Sequence, residues 1–312
     1  MHYNRNAPAS DTSPTALSRA TEALSDRGAF RTLRVALEEV DISVRHRPSG
    51  KSDLTCIMLH GFGDGGFVWN RFATQLPPSF GACMPDLRGH GLTSWDAEGV
   101  YDITVHTSDM AALLPALNAN RVVLIGHSLG GTVALRLCEL LGEQLAGLVL
   151  VDCAPNLDSA SREKIYGDFR LGDRRFASPQ DYAAWLADHR PLLSQDMCLE
   201  FAQAALIQTE AGDYRRRCDP TMANAGRGLS EDMDRVLATL RRLRCQVLLV
   251  RGKVSGVLNR RTLHEMAAAG GTPVEGKMAG HAVMADNLDG FANAVLPFLA
   301  DIAAEPARST ER

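Results

Sequence analysis

The chain has 312 residues, of which 45% are hydrophobic, 22% are charged and 6% are aromatic. These proportions are those of a globular protein, and they exclude a disordered, collagenous or fibrous one. The formal net charge of −4 gives no sign of binding to nucleic acid or to an anionic membrane, so we expect a small and largely uncharged partner.

The ends of the chain and its cysteines bear on location. Residues 1–30 are rich in Ala, Ser, Thr and Pro without a secretion-type apolar segment, and we interpret them and 305–312 as tails. No apolar run approaches the ~18 residues of a membrane span. The seven cysteines include no C-x-x-C pair, which is typical of free thiols in a reducing compartment and not of a zinc site or a disulfide framework. We therefore expect a cytoplasmic protein.

The body of the chain alternates between strand and helix patterns. Residues 31–44 alternate apolar and polar positions with a short break, which predicts a hairpin of half-exposed strands. Short apolar runs then predict strands buried on both faces of a parallel sheet, at 54–59, 121–125, 145–151 and 245–250. Helical patterns lie between and after them, at 104–117, 129–141, 261–269 and 288–304. This alternation predicts an α/β fold with a mostly parallel sheet flanked by helices.

One long segment interrupts the alternation. Between 155 and 244 there is no buried-strand pattern, only amphipathic, charged stretches such as 179–187 and 198–209. About 90 residues are too many for a plain loop in a compact domain, so we predict a helical cap inserted into a core formed by 31–154 and 245–304. Ligands of open α/β sheets bind at the carboxyl ends of the strands, where we expect this cap to shape the pocket.

A glycine-rich turn carries the chemistry. Residues Gly126 to Gly131 read Gly-His-Ser-Leu-Gly-Gly and join a predicted strand directly to a predicted helix. So abrupt a turn forces Ser128 into a strained backbone conformation, and the glycines keep neighbouring side chains clear. The hydroxyl of Ser128 is thereby raised above the sheet, as in a nucleophile elbow. The alternative is a serine that only caps the helix.

With this motif the sequence resembles the alpha/beta-hydrolase superfamily, over nearly all of residues 33–302. The resemblance implies an eight-stranded, mostly parallel sheet flanked by helices, with an inserted helical cap and the activity of a cofactor-free serine hydrolase. The segment from His60 to Gly63 matches the oxyanion loop of the superfamily. By this resemblance, the backbone N–H groups of Phe62 and Leu129 form the oxyanion hole.

The resemblance also points to the catalytic base. In this superfamily the triad runs serine, acid, histidine along the chain, and only His189, His264 and His281 follow Ser128. His264 lies in a predicted helix and His189 in the predicted cap. His281 follows the last predicted strand, 272–277, where the superfamily places its catalytic histidine, so the resemblance implies that His281 is the general base. A buried structural histidine is the alternative.

The triad acid is missing from its usual place after the seventh strand. The turn 251–258 contains no carboxylate, and Ser255 stands in that position, or Gly256 if the register differs by one residue. Without a carboxylate the imidazole loses control of its tautomer, which is worth ~10⁴ in turnover in serine proteases. Asp152, at the end of the preceding buried strand, emerges at the same edge of the sheet as Ser128 and is our candidate acid. Asp286, another carboxylate and a triad without an acid remain alternatives.

The remaining turns, arginine clusters and aromatic residues are interpreted as structural and not as catalytic. The turn 86–91 is expected to brace the loop beneath the site. The glycine-rich segment after His60 lacks the lysine of a P-loop and the spacing of a dinucleotide fingerprint, which excludes nucleotide binding there. The arginine clusters 215–217 and 241–244 are interpreted as solvated surface, or alternatively as a site that steers an anionic acyl carrier. We expect a mainly aliphatic pocket. Four aromatic residues are interpreted as core or cap packing, with a place in the lining of the pocket as the alternative: Trp69, Trp95, Trp185 and Tyr182.

The sequence therefore predicts an enzyme that cleaves an ester or thioester of a small or medium apolar acid, including an acyl group attached to a carrier. Ser128 attacks, His281 acts as base and Asp152 orients it, through an acyl-enzyme. A C–C bond hydrolase, a cyclising acyltransferase and a cofactor-free oxygenase are alternatives on the same fold, because fold does not fix function. A non-catalytic module that binds a small ligand is a further alternative.

Overall fold

The computed structural model of this chain describes residues 30–50, 53–155, 157–224, 229 and 231–305. Apart from Phe30 and Glu305, the two predicted tails lie outside these residues. In the part of the chain so described, no helix has both the length and the apolar character needed to cross a membrane.

An eight-stranded sheet forms the centre of the molecule. Its spatial order is β1-β2-β4-β3-β5-β6-β9-β10, and β2 alone runs antiparallel to its neighbours. The predicted mostly parallel, eight-stranded sheet is confirmed. A separate two-stranded antiparallel sheet consists of β7 and β8. The strands in chain order are β1 (Arg31–Ala36), β2 (Asp41–Arg47), β3 (Leu54–Leu59), β4 (Gly81–Pro85), β5 (Arg121–His127), β6 (Leu145–Val151), β7 (Leu206–Gln208), β8 (Tyr214–Arg216), β9 (Gln246–Gly252) and β10 (Thr272–Gly276).

Helices cover both faces of this sheet and bury its apolar side chains. One face packs against α1 and α10, and the other packs against α2, α3, α7 and α8. The predicted hairpin is β1 and β2, and the predicted bounds of α3 and α10 are those observed. The helices are α1 (Asn70–Gln75), α2 (Ile103–Leu117), α3 (Leu129–Leu141), α4 (Ser159–Gly172), α5 (Pro179–His189), α6 (Gln195–Ala205), α7 (Met233–Arg242), α8 (Arg260–Ala268), α9 (Val283–Asp286) and α10 (Leu288–Ala304).

In the described part of the segment between β6 and β9, the α-helices are α4 to α7, and a 3-10 helix spans Pro220–Asn224. Each of these α-helices begins at a side chain that accepts a backbone N–H of its first turn, which is the local signal that starts a helix. These capping residues are Asp158, Ser178, Ser194 and Asp232. The sequence pattern does not predict β7 and β8, because strands of three residues are too short to show a period. α7 packs against α3 and α8, among the helices that flank the main sheet.

The turn 86–91 braces the structure below the site, as the sequence suggests. The carboxylate of Asp86 accepts the backbone N–H groups of Gly66 and Leu92. Arg88, which is 4% exposed, donates two hydrogen bonds of 2.7 and 2.8 Å to Asp109 on α2. A charge buried to this extent is stable only while it stays paired.

We expect Arg88→Ala to lower the free energy of unfolding by about 3–5 kcal/mol, because it leaves the buried carboxylate of Asp109 without its cation. The measurement is urea-induced unfolding followed by circular dichroism. Arg170→Ala, which breaks the exposed pair with Glu163, should leave the unfolding midpoint unchanged. Equal losses in the two variants would contradict this account of the turn.

Candidate active site

Ser128 lies at the N-terminus of α3 with φ 52° and ψ −117°, a left-handed conformation that few non-glycine residues adopt. The surrounding glycines make this turn possible. A Cβ on Gly126 would lie 2.4 Å from the carbonyl oxygen of Gly130, and one on Gly130 would lie 2.4 Å from that of Leu59. The backbone therefore closes around the serine as the sequence motif predicts, and Ser128 lines a cavity above the sheet.

Asp152 follows β6 and is fully buried, with φ 45°. Its Oδ2 accepts a hydrogen bond of 2.7 Å from Nδ1 of His281. Its Oδ1 accepts the backbone N–H of Gly252 at 3.1 Å. With the proton of His281 on Nδ1, the other ring nitrogen keeps a free lone pair. Of the carboxylates considered from the sequence, the structure brings Asp152 to His281.

Ser255 occupies the position in which the superfamily usually presents its acid. Its hydroxyl donates a hydrogen bond of 2.5 Å to Oδ2 of Asp152 and accepts the backbone N–H of Val257 at 3.0 Å. In the sequence, Ser255 stands out only because it occupies a position where a carboxylate is expected. The sequence does contain a signal for this contact. Ser255 follows β9, Asp152 follows β6, and these two strands are neighbours in the sheet.

Asp286 braces the loop that carries His281 and makes no hydrogen bond with the imidazole. Its Oδ2 accepts the backbone N–H of Gly280 at 2.8 Å. Burial raises the pKa of Asp286 above the ordinary value for an aspartate. Its carboxylate therefore supports the backbone beside the base.

His127, immediately before Ser128, was missed by the sequence analysis. Its Nε2–H donates a hydrogen bond of 3.0 Å to the carbonyl oxygen of His281, and the two rings lie 4.6 Å apart. Burial, and then the adjacent His281, hold the pKa of His127 well below the ordinary value for histidine. A neutral His127 thus fixes the backbone of His281. The position between the first glycine and the serine of the motif is the only sequence signal for it.

The loop that contains Phe62 is held from below by imidazoles. The backbone N–H of Gly63 donates to Nε2 of His90 at 3.0 Å, and Nε2 of His60 accepts the N–H of Leu87 at 2.9 Å. Phe62 lies in this loop and lines the cavity.

The second predicted oxyanion donor, Leu129, is the first residue of α3. Backbone N–H groups in the first turn of a helix have no acceptor within that helix. Phe62 and Leu129 both border the space around Ser128. The two residues are therefore near the serine, as the resemblance implies.

Ser128 and His281 line one cavity of about 610 Å³, and a smaller space of about 40 Å³ extends from Ser128 along Leu129 and Thr132. The apolar part of the lining combines the expected aliphatic side chains with aromatic ones. Four aromatic side chains gather in the larger cavity, one from the loop after β3 and three from the segment between β6 and β9: Phe62, Phe169, Tyr182 and Trp185. Trp69 is core, as predicted, and Trp95 is 40% exposed beneath Arg215.

The interpretation of 215–217 as solvated surface is wrong. Arg216 is 8% exposed and lines the cavity. Arg215 and Arg217 are partly buried. Pairing of β8 with β7, and the contact of Arg216 with Phe169 on α4, limit the exposure of this cluster. The second cluster does lie on the surface, because Arg241 and Arg242 are exposed.

No cluster of three His, Cys, Asp or Glu side chains suited to a metal ion occurs within the described ranges. The chemistry of the described site is that of a hydroxyl, an imidazole, a carboxylate and backbone N–H groups.

Comparison with known proteins relates this geometry to a family. A model of the alpha/beta hydrolase family matches residues 56–294. Lipase LipV of Mycobacterium tuberculosis is 34% identical over 165 residues, which cover 51% of this chain and 61% of the lipase. The 2-(acetamidomethylene)succinate hydrolase of Mesorhizobium japonicum is 24% identical over 247 residues, which cover 79% of this chain and 86% of that protein.

Two solved structures share the fold. The crystal structure of E-2-(acetamidomethylene)succinate hydrolase superposes with a TM-score of 0.78 at 23% identity, covering 87% of this chain and 99% of that one. An alpha/beta hydrolase from Novosphingobium aromaticivorans superposes with a TM-score of 0.77 at 21% identity, covering 88% of this chain and 99% of that one.

We expect Asp152→Asn to lower kcat about 10⁴-fold, since an amide at this position favours the wrong tautomer of His281. Asp286→Asn is the matched control, because the amide oxygen of asparagine can still accept the N–H of Gly280. Steady-state kinetics on an activated ester measure both effects. A larger loss for Asp286→Asn than for Asp152→Asn would assign the acid to Asp286.

His106, a buried histidine on α2, makes the stability of the fold depend on pH. Burial, and then the nearby His60 and Arg88, lower the pKa of His106 to about 3, against the influence of Asp102. The unfolded chain therefore binds a proton that the folded chain does not between pH 3 and about 6.5. Consequently the free energy of unfolding falls as the pH falls through this interval.

We expect His106→Leu to reduce this pH dependence by up to about 1.4 kcal/mol per pH unit. The measurement is the free energy of unfolding in urea at a series of pH values from 7 to 5. His264→Leu, at an exposed position, should leave the slope as it is. An unchanged slope in His106→Leu would show that this imidazole does not contribute to acid sensitivity.

Proposed function

This chain belongs to the alpha/beta hydrolase family, and we propose that it is a serine hydrolase that cleaves an ester or thioester through an acyl-enzyme. The observation that carries the proposal is the hydrogen bond of 2.7 Å between His281 and the buried Asp152, in a cavity that Ser128 also lines. A strained serine, an imidazole and a carboxylate at one sheet edge suit nucleophilic catalysis.

In the proposed reaction the hydroxyl oxygen of Ser128 attacks the substrate carbonyl while Nε2 of His281 takes its proton. Asp152 holds the imidazole in the required tautomer and stabilises its cation. The N–H groups of Phe62 and Leu129 donate to the oxyanion of the tetrahedral intermediate. His281 then gives the proton to the leaving group, and water, activated by the same base, releases the acid and restores Ser128.

The second layer of contacts supports this assignment of roles. Gly252 and Ser255 donate hydrogen bonds to Asp152, and these bonds hold its carboxylate in the orientation that meets His281. His127 donates to the carbonyl of His281 and thereby limits movement of the base. Catalytic geometry depends on such supporting contacts, because small displacements of the reacting groups cost large factors in rate.

We place the substrate among esters or thioesters of small or medium acids with an apolar chain, including acyl groups attached to a carrier. The apolar and aromatic lining of the cavity suits such a chain. Relatives named as a lipase and an esterase support ester cleavage, and one relative by its name hydrolyses 2-(acetamidomethylene)succinate. The partner in this proposal is a small molecule.

The proposed location is the cytoplasm. All seven cysteines carry free thiols, and six of them are buried. Free thiols are typical of proteins in a reducing compartment.

We expect Ser128→Ala to lower turnover of an activated ester at least about 10⁴-fold, because the attacking oxygen is removed. A fluorophosphonate probe should add its mass to Ser128, and peptide mass spectrometry locates the adduct. Ser161→Ala, which removes another hydroxyl from the same cavity, should keep both turnover and labelling. Intact turnover in Ser128→Ala, or an adduct at another residue, would refute the proposal.

A further inference from the structure

Arg216 is a cation without a carboxylate partner among the described residues. It lies on β8 in the segment between β6 and β9, and it is 8% exposed. Its Nη2 donates to the carbonyl oxygen of Phe169, and its guanidinium lies 4.4 Å from the centre of the Phe169 ring. Its Nε is buried, and no acceptor for it occurs in the described part of the chain.

The other two long-chain cations of the cavity differ from Arg216 in being paired. Arg190 forms an ion pair of 2.8 Å with Asp64, and Lys164 forms one of 2.8 Å with Asp168. Burial of a charge without a counter-ion is costly, and contacts with a carbonyl and an aromatic ring offset only part of that cost. An anion from outside the chain would complete the site around Arg216.

The position of Arg216 connects it with the reacting groups. Arg216 lines the same cavity as Ser128 and His281. A Cβ on Gly63, in the predicted oxyanion loop, would lie 3.8 Å from Nη1 of Arg216. An anionic group held by this guanidinium can therefore belong to the molecule whose carbonyl meets Ser128.

We propose that Arg216 binds a carboxylate of the substrate, so that the natural substrate is an ester or thioester that also carries a free acid group. This inference rests on the proposed function and specifies its substrate class. The guanidinium is planar and carries five N–H donors, a geometry that matches a carboxylate. The acid group belongs either to the acyl part or to the leaving group, and it replaces the uncharged partner expected from the net charge.

Two matched substrate pairs test the proposal and separate the two positions of the acid. Monomethyl adipate and dimethyl adipate differ by a carboxylate on the acyl side. The anion 4-acetoxybutanoate and its methyl ester differ by a carboxylate on the alcohol side, with release of acetate as the readout. We expect the wild-type protein to favour the acid of one pair by about 10- to 100-fold in kcat/KM per ester bond, the value of a hydrogen-bonded charge.

In Arg216→Gln this preference should fall to within about 2-fold, with kcat/KM for the neutral ester of the pair nearly unchanged. Arg216→Lys should retain part of the preference, because it keeps the charge without the fork. Lys164→Gln, which removes a paired cation from the same cavity, is the matched control and should keep the full preference. The proposal is overturned if the wild type favours neither acid, if the preference survives Arg216→Gln, or if Arg216→Gln loses both esters equally.

A binding measurement separates this inference from the proposed function. In Ser128→Ala, the acid of at least one of the two pairs should raise Tm more than its neutral ester does. The added substitution Arg216→Gln should abolish this difference in Tm. If the protein hydrolyses no ester while this difference in Tm is present, the proposed function fails and the carboxylate site stands. If esters are hydrolysed and no difference in Tm or kcat/KM appears, the carboxylate site fails and the proposed function stands.

Discussion

The carboxylate of Asp152 is the point on which the candidate site depends. A fully buried carboxylate is stable only when its oxygens accept hydrogen bonds, and Asp152 accepts three, from Gly252, Ser255 and His281. The first two belong to the end of β9 and the turn after it, and the third belongs to the loop after β10. One side chain at the end of β6 therefore ties the end of β9 and the turn after it to the loop that carries His281.

The position of this acid follows from the spacing of the sheet. β6 and β9 are neighbouring parallel strands, so their carboxyl ends lie about 4.8 Å apart. An acid moved from the end of β9 to the end of β6 can still reach the same imidazole nitrogen. The turn after β9 carries Ser255, whose hydroxyl donates to the carboxylate of Asp152. Its hydrogen bond with Val257 also holds the turn.

Sequence patterns predict what depends on local or sheet-wide regularity. The bounds of α3 and α10 follow from helical periodicity and, for α3, from the glycine-rich turn at its start. The contact between Asp152 and His281 follows from the rule that the carboxyl ends of parallel strands lie at one edge of the sheet. The environment of Arg216 does not follow from any such rule, because its contact with Phe169 joins residues 47 positions apart. The aromatic side chains in the lining could not be predicted either. A low content of aromatic residues in the whole chain does not prevent several of them from meeting in one cavity.

The difference between the main sheet and the segment between β6 and β9 explains this difference in predictability. The groups assigned to the reacting bond lie at the ends of strands or in the loops that follow them, where the packing of the sheet fixes their positions. The cations of the cavity lie instead on α4, at the end of α5 and on β8, all in the segment between β6 and β9. None of these cations donates one of the hydrogen bonds that Asp152 accepts, so a change at Arg216 leaves those bonds in place. The guanidinium of Arg216 is held on a short strand outside the main sheet, so the carboxylate site that we propose is built separately from the sheet edge that positions Ser128, Asp152 and His281.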